Sequence, residues 1–340
     1  MVKDTQAPVT VPTMRVVIAS TKKAGHRNQC VGLLQFLHVC ATSEILIQGS
    51  SASDSPSKKF AMRIWSNMLA IIVCLTRPMA GTLVIASGQA IIPLCWLMKA
   101  LYRNRILIIY VGSPKTRLRC ADILIRSEHQ RTASERFAEY YHWPHQTIWI
   151  QGVISATGAS QSQSGETVAV LIGGKNKTFD FTGAEFSRFV NNLGKLAAND
   201  PAPDVTVVLS RRTEAVTVEQ LRRELGHLCK IVPTNDREGY LAAIEQAKAF
   251  VVTPDSVTMV SEACATGKPV FVAELKAIRK DTSNYQMITS FKKEGYIDYF
   301  NGTIQNVPSK RLPAEGQRIA AQVHLVIEAW RKANGLLSDP

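Results

Sequence analysis

The residues best suited to chemistry lie in the second half of this 340-residue chain. At 253–258 the sequence reads Thr-Pro-Asp-Ser-Val-Thr, between an apolar run at 249–253 and a short helical pattern at 257–266 closed by Gly267 and Lys268-Pro269. A strand that ends in a polar turn and enters a helix offers backbone amides and the positive end of the helix dipole, the arrangement that holds phosphate. Ser256 and Thr258 add hydroxyl donors, and Asp255 stands in the turn itself. Glu262 falls one helical turn after Thr258 on the same face, where a carboxylate can accept both hydroxyls of a ribose. The same letters also describe a plain strand–helix unit, with Ser256 as N-cap and Glu262 in solvent.

Two further loops strengthen the phosphate reading. Gly173-Gly174-Lys175 follows an apolar run at 167–172, and Ser210-Arg211-Arg212-Thr213 follows one at 205–209. A diglycine lets backbone approach a ligand closely, and paired arginines suit bidentate phosphate contacts. Each motif is weak alone; three at equivalent strand ends point to a phosphorylated ligand. The first half offers polar groups of another kind. Gly25, His26, Asn28 and Gln29 stand between a first strand and a first helix, Ser87-Gly88 and Ser113 follow later strands, and Glu128-His129 follows another. His26, Glu128 and His129 are the candidates for a general base, against the alternatives of a structural histidine and a surface ion pair.

These loops need strands and helices to position them, and the chain supplies two series. Strand patterns at 14–19, 44–48, 82–86, 106–111, 121–125 and 147–150 alternate with helical ones at 26–40, 58–77 and 90–102. Residues 155–166 (SATGASQSQSGE) are small and polar and read as a linker, after which the alternation restarts at 167. The expected architecture is α/β: two doubly wound, Rossmann-like domains facing a cleft lined by strand-end loops. The expected divisions are a tail at 1–13, a first domain at 14–153, a linker at 154–166, a second domain at 167–312 and a C-terminal helix and tail at 313–340.

Charge is distributed unevenly. Residues 1–155 hold 18 Lys+Arg against 7 Asp+Glu, a net of +11, whereas residues 156–340 net only +2. A basic first half suits an anionic partner. Its basic, Trp-bearing helices suggest a membrane surface at their ends. No recognition motif accompanies the charge, which argues against nucleic acid. Seven cysteines show no CxxC pair and no metal-ligand spacing, as expected of core filler in a reduced, intracellular protein. The apolar stretch at 60–111 is interrupted by charges, Pro and Gly before it reaches spanning length, and no secretory signal is visible.

The motifs Gly25-His26-Arg27-Asn28-Gln29, Val84-Ile85-Ala86-Ser87-Gly88, Glu128-His129, Leu171-Ile172-Gly173-Gly174, Ser210-Arg211-Arg212-Thr213 and 255–263 (DSVTMVSEA) together resemble the "elongated mitochondria" mitochondrial fission family of plants and its bacterial relatives. The resemblance runs from Met14 to about Gly302 and departs from the family at Gln130, where an Asp is expected, and at Pro254, where a small residue is expected. It implies a GT-B arrangement with a nucleotide sugar held by the second domain. It also implies sugar transfer to a membrane-associated acceptor, lipopolysaccharide core or another glycolipid. In that scheme Glu262 holds the ribose, Ser256 and Thr258 the diphosphate, and Arg211 or Arg212 with Lys175 offsets the leaving charge. No metal and no cofactor beyond the donor substrate is expected. The protein is placed at the cytoplasmic face of a membrane. Two rivals share the scaffold: a non-enzymatic membrane-recruiting adaptor and a sugar-nucleotide epimerase.

Overall fold

The computed structural model describes residues 14–22, 24–47, 55, 57, 68, 72, 79–114, 118–131, 146–154, 165–181, 183–199, 201–305, 308, 310–313 and 315–336. The tail expected at 1–13, most of the helix expected at 58–77 and most of the linker expected at 154–166 lie outside the described residues. The chain divides into two compact units, Met1–Arg126 with Phe137–Trp149 and Gly316–Pro340, and Ser127–Arg136 with Ile150–Glu315.

The first unit is built on β1 (Arg15–Thr21), α1 (Ala24–Phe36), β2 (Ser43–Ile47), β3 (Thr82–Ser87), α2 (Ile92–Tyr102), β4 (Ile106–Val111), β5 (Ile123–Ser127) and β6 (Gln146–Ile150). Its six strands lie in the order β2-β1-β3-β4-β5-β6. The pairs β1–β2, β1–β3, β3–β4 and β4–β5 are parallel. Every residue of β3 and β4 is buried, as a parallel sheet covered on both faces requires, and this is why these strands read as unbroken apolar runs. Leu94, Cys95 and Met98 of α2 pack on one face with Val84, Ile108 and Tyr110.

The second unit repeats the plan with β7 (Thr167–Ile172), α3 (Gly183–Ala197), β8 (Val205–Leu209), α4 (Ala215–Leu225), β9 (Lys230–Val232), α5 (Arg237–Gln246), β10 (Ala247–Val252), α6 (Val257–Ala265), β11 (Val270–Ala273), α7 (Ser283–Glu294) and β12 (Asp298–Phe300). Its order is β12-β11-β10-β7-β8-β9, parallel throughout. Phe186, Phe189, Val190 and Leu193 of α3 follow the three-and-four spacing of one helical face and are buried against this sheet. A last helix, α8 (Glu315–Ala333), belongs to the first unit, where Trp330 Nε1 donates to the carbonyl of Asn104 at 2.7 Å.

Among the described residues no helix is long and apolar enough to cross a membrane. Cys30, Cys95, Cys120, Cys229 and Cys264 are buried and unbridged, while Cys40 is exposed. Burial pushes the Cys30 thiol up to about 12, leaving it without thiolate character at neutral pH.

Candidate functional site

In an open α/β sheet the ligand crevice opens where strand order reverses. In the second unit that point lies between β7 and β10, because β8 and β9 continue to one side and β11 and β12 to the other. The loops after β7 and β10 are Gly173-Gly174 and 253–256, so the topology brings two of the three expected phosphate loops together. The third, after β8, is tied to the first: Thr213 Oγ1 donates to the Gly173 carbonyl at 2.7 Å, and the Ser210 amide donates to the Ile172 carbonyl at 3.0 Å.

The centre of this cluster is Asp255, whose side chain is fully buried. Its carboxylate accepts from the Gly174 amide at 3.1 Å and from Thr253 Oγ1 at 2.7 Å, and it pairs with Arg212 Nη2 at 2.6 Å. Thr253 Oγ1 in turn accepts from the Gly173 amide at 2.8 Å. Burial raises the Asp255 pKa above its ordinary value, opposed by the Arg212 charge and by the bonds from Thr253 and Gly174. The Asp255 backbone carbonyl accepts from the side-chain amides of Asn176, at 3.1 Å, and Asn284. One residue therefore joins all three loops and the start of α7.

This geometry revises several expectations. Asp255 is expected to meet the ligand; the structure spends both carboxylate oxygens inside the protein. The diglycine is expected to admit a ligand; its closest neighbours are protein atoms. A Cβ on Gly173 would lie 2.0 Å from Asp255 Oδ2, and one on Gly174 would lie 1.9 Å from the Arg212 carbonyl oxygen. The Arg211-Arg212 pair is expected to act together; Arg212 is engaged with Asp255, while Arg211 and Lys175 are exposed. Ser256 caps α6 by accepting from the Met259 amide at 3.4 Å, the simpler of its two expected roles, and leaves the rest of the first turn to other partners. Thr258 is half-buried on that turn. Glu262 is half-buried too, and its Oε2 accepts from the Tyr240 hydroxyl at 2.9 Å. That bond fixes one carboxylate oxygen.

The base candidates separate. His26 stands at the reversal point of the first sheet, between β1 and β3. Its Nδ1 lies 2.6 Å from Thr21 Oγ1, and its ring fills the space beside Gly88, whose φ of 99° favours glycine. Ser87 Oγ donates to Gln29 Oε1 at 3.3 Å, and Gln89 Nε2 donates to the Ser113 carbonyl at 3.3 Å. Gly88 therefore borders His26, while Ser87 and Ser113 are tied to Gln29 and Gln89 in the same unit. Gly25 and Asn28 lie on the first turns of α1.

Glu128 and His129, expected as first-domain groups, lie in the second unit. They form a short helical turn packed on α7, where His129 Nε2 meets Ser283 Oγ at 3.1 Å and Gln130 Nε2 donates to the same oxygen. Burial lowers the His129 pKa to about 4, so the ring is neutral and weakly basic. Its Nδ1 is buried with no hydrogen-bond partner, which favours the tautomer with the proton on Nε2, donating to Ser283. Glu128 pairs with Arg131 at 3.1 Å. Both side chains are thus engaged with protein partners within the second unit. Asn176, Tyr240, Ser283 and Asn284 had no motif to announce them. They are polar side chains in loops and helix starts, found only once the strands are in order.

Two Rossmann-like domains in succession define a fold of the GT-B type. The fold is similar to that of S. aureus MnaA, solved with UDP, at a TM-score of 0.52 and 12% identity over 93% of this chain and 97% of that one. A UDP-glucosyltransferase from Polygonum tinctorium gives a TM-score of 0.50 at 11% identity, over 96% of this chain and 94% of that one. The chain belongs to the Mitochondrial fission ELM1 family, whose model matches residues 24–326. The mitochondrial fission protein ELM1 of Arabidopsis thaliana is 35% identical over 100 residues, 29% of this chain. That match spans 23% of the relative's length.

Proposed function

We propose that the protein is a glycosyltransferase that moves a sugar from a nucleotide donor to a membrane-held acceptor, lipopolysaccharide core or another glycolipid, without a metal or further cofactor. The observation that carries this reading is the welding of three strand-end loops, by Asp255, beside the N-terminus of α6. The first-turn amides of α6 receive the diphosphate, with Thr258 as an added donor and Arg211 and Lys175 offsetting charge on the leaving group. Glu262, oriented by Tyr240, receives the ribose hydroxyls. His26 takes the proton of the acceptor hydroxyl. The family's fission branch keeps the adaptor reading as an alternative to be tested, and the likeness in fold to a putative UDP-N-acetylglucosamine 2-epimerase from Listeria monocytogenes, at a TM-score of 0.53, keeps the epimerase reading.

Nucleotide diphosphates and nucleotide sugars should be screened for thermal stabilisation of the purified chain, with and without magnesium. A ligand at one hundred times its Kd adds roughly 2.7 kcal/mol of stability. The expected result is a shift with one nucleotide, independent of magnesium and lost in Glu262→Ala and Arg211→Ala. No shift with any nucleotide turns the reading to the adaptor. Conversion of the sugar nucleotide without acceptor turns it to the epimerase.

A further inference from the structure

We infer that the outward face of α2 docks the first unit on an anionic lipid bilayer. This deepens the proposed membrane-held acceptor and rests on that reading for its purpose, though its observations all lie in the first unit.

The helix reads IPLCWLMKALY, with Lys99 its one charged residue. A helix on a protein surface ordinarily turns such a residue to water and keeps a polar outer face. Here Lys99 is turned inward. Its Nζ lies 2.6 and 2.8 Å from the two carboxylate oxygens of Asp122, which also accepts from the Ile108 amide at 2.8 Å. Ile92, Leu94, Cys95 and Met98 fill the buried side. What remains outside is apolar: Pro93, Trp96, Ala100 and Leu101 are exposed, Trp96 to 46% and Leu101 to 51%.

The C-terminal end of this face carries the charge. Arg103, Asn104 and Arg105 form an exposed turn directly after α2. Arg103 has a φ of 47° and a ψ of −122°, a conformation that glycine adopts at less cost, so the position holds an arginine against backbone preference. The turn is pinned by the Trp330–Asn104 hydrogen bond and by a 3.3 Å bond from Lys99 Nζ to the Ile106 carbonyl. Two guanidinium groups are therefore held beside an apolar face that includes an indole. A helix of 11 residues is too short to span a bilayer. Lying in the interface it can bury its apolar side among the acyl chains, with the arginines at the headgroups. The net charge of +11 over residues 1–155 fits an anionic leaflet.

The test is co-sedimentation of the full chain with vesicles of phosphatidylcholine alone and of phosphatidylcholine with one quarter phosphatidylglycerol, at low and high salt. The wild type should pellet with the anionic vesicles, less so at high salt. Arg103→Gly with Arg105→Gln, the glycine chosen to tolerate the positive φ, should weaken anionic binding by roughly 25-fold, about fivefold for each charge. Trp96→Ser with Leu101→Ser should remove it, and both variants should keep the wild-type melting temperature because the changed side chains are exposed. Brominated lipid should quench the wild type more than Trp96→Phe. Anionic binding unchanged in Trp96→Ser with Leu101→Ser would overturn the inference. So would a dimer in sedimentation velocity that Trp96→Ser dissociates, because a second copy would then cover this face. Nucleotide stabilisation measured on the same variants should be unaltered. In the wild type, a nucleotide shift without vesicle binding overturns the docking surface alone, and vesicle binding without any nucleotide shift overturns the transferase reading alone.

Discussion

Removing Arg212 tests the central role given to Asp255. In Arg212→Ala the Asp255 carboxylate keeps its bonds from Gly174 and Thr253 but loses its cation. Exposed pairs contribute about 0.2–1 kcal/mol, and breaking a fully buried pair costs about 3–5 kcal/mol. Here the carboxylate is 0% exposed and the guanidinium 45%, so a loss of about 2 kcal/mol is expected at pH 8. The pH dependence is the sharper signature. Burial already raises the Asp255 pKa, and losing Arg212 raises it further, so the folded state binds a proton there more readily than the unfolded chain does. Protonation then favours folding. The penalty of Arg212→Ala should be small near the unfolded value of about 3.9, grow as pH rises, and level off above the raised folded value.

Asp255→Asn should remove this dependence. Its amide can donate to Thr253 Oγ1 while its oxygen accepts from Gly174, and Thr253 can turn its proton to the Leu171 carbonyl, 3.4 Å away. Urea unfolding of the four members of the cycle at pH 5 and pH 8 gives the coupling directly, and the contribution of His129 cancels in the differences. A penalty for Arg212→Ala that is equal at both pH values would refute the argument. Asp255→Asn proving as costly as Asp255→Ala would refute it too.

Two further outcomes are expected. Gly173→Ala forces a methyl to within 2.0 Å of Asp255 and should cost about 1–3 kcal/mol and abolish nucleotide stabilisation, whereas Gly25→Ala, with nothing within 4 Å, should do neither; thermal melts of both decide. His129 is lowered to about 4 by burial, against about 6.5 unfolded, so its contribution is complete above pH 6.5 and is lost as pH falls toward 4, up to about 3 kcal/mol; the acid limb of the stability curve should flatten in His129→Gln, and an unchanged limb contradicts the assignment.

The parallel strands were the most legible part of the sequence. β4 and β7 match their apolar runs residue for residue, because a strand buried on both faces has no polar position to blur its ends. The loops at 173–175, 210–213 and 253–258 were legible as a set for the same reason, each following such a strand. What these loops touch was not. Asp255 looks in sequence like any turn aspartate, and only the β7–β10 adjacency, made by residues 80 positions apart, turns it inward toward Gly173. Glu128-His129 was misplaced because its strand belongs to the first sheet while its side chains pack on α7. β12 was missed: at three residues it is too short to show a period. The inward turn of Lys99 was equally hidden, since its partner Asp122 lies in the turn before another strand.

The return of α8 to the first unit bears on how the chain is made and how it can be rearranged. Gly316 sits where any Cβ would meet the Phe36 ring at 2.1 Å, so the start of the last helix closes on the first. A ribosome delivers α1 nearly three hundred residues before that partner. Until then the first unit waits with one flank uncovered while the second can fold. The same interleaving limits recombination. A crossover placed in the 155–166 stretch would exchange the second unit together with a helix that the first one needs, so hybrids of this family must carry their amino-terminal half and last helix from one parent.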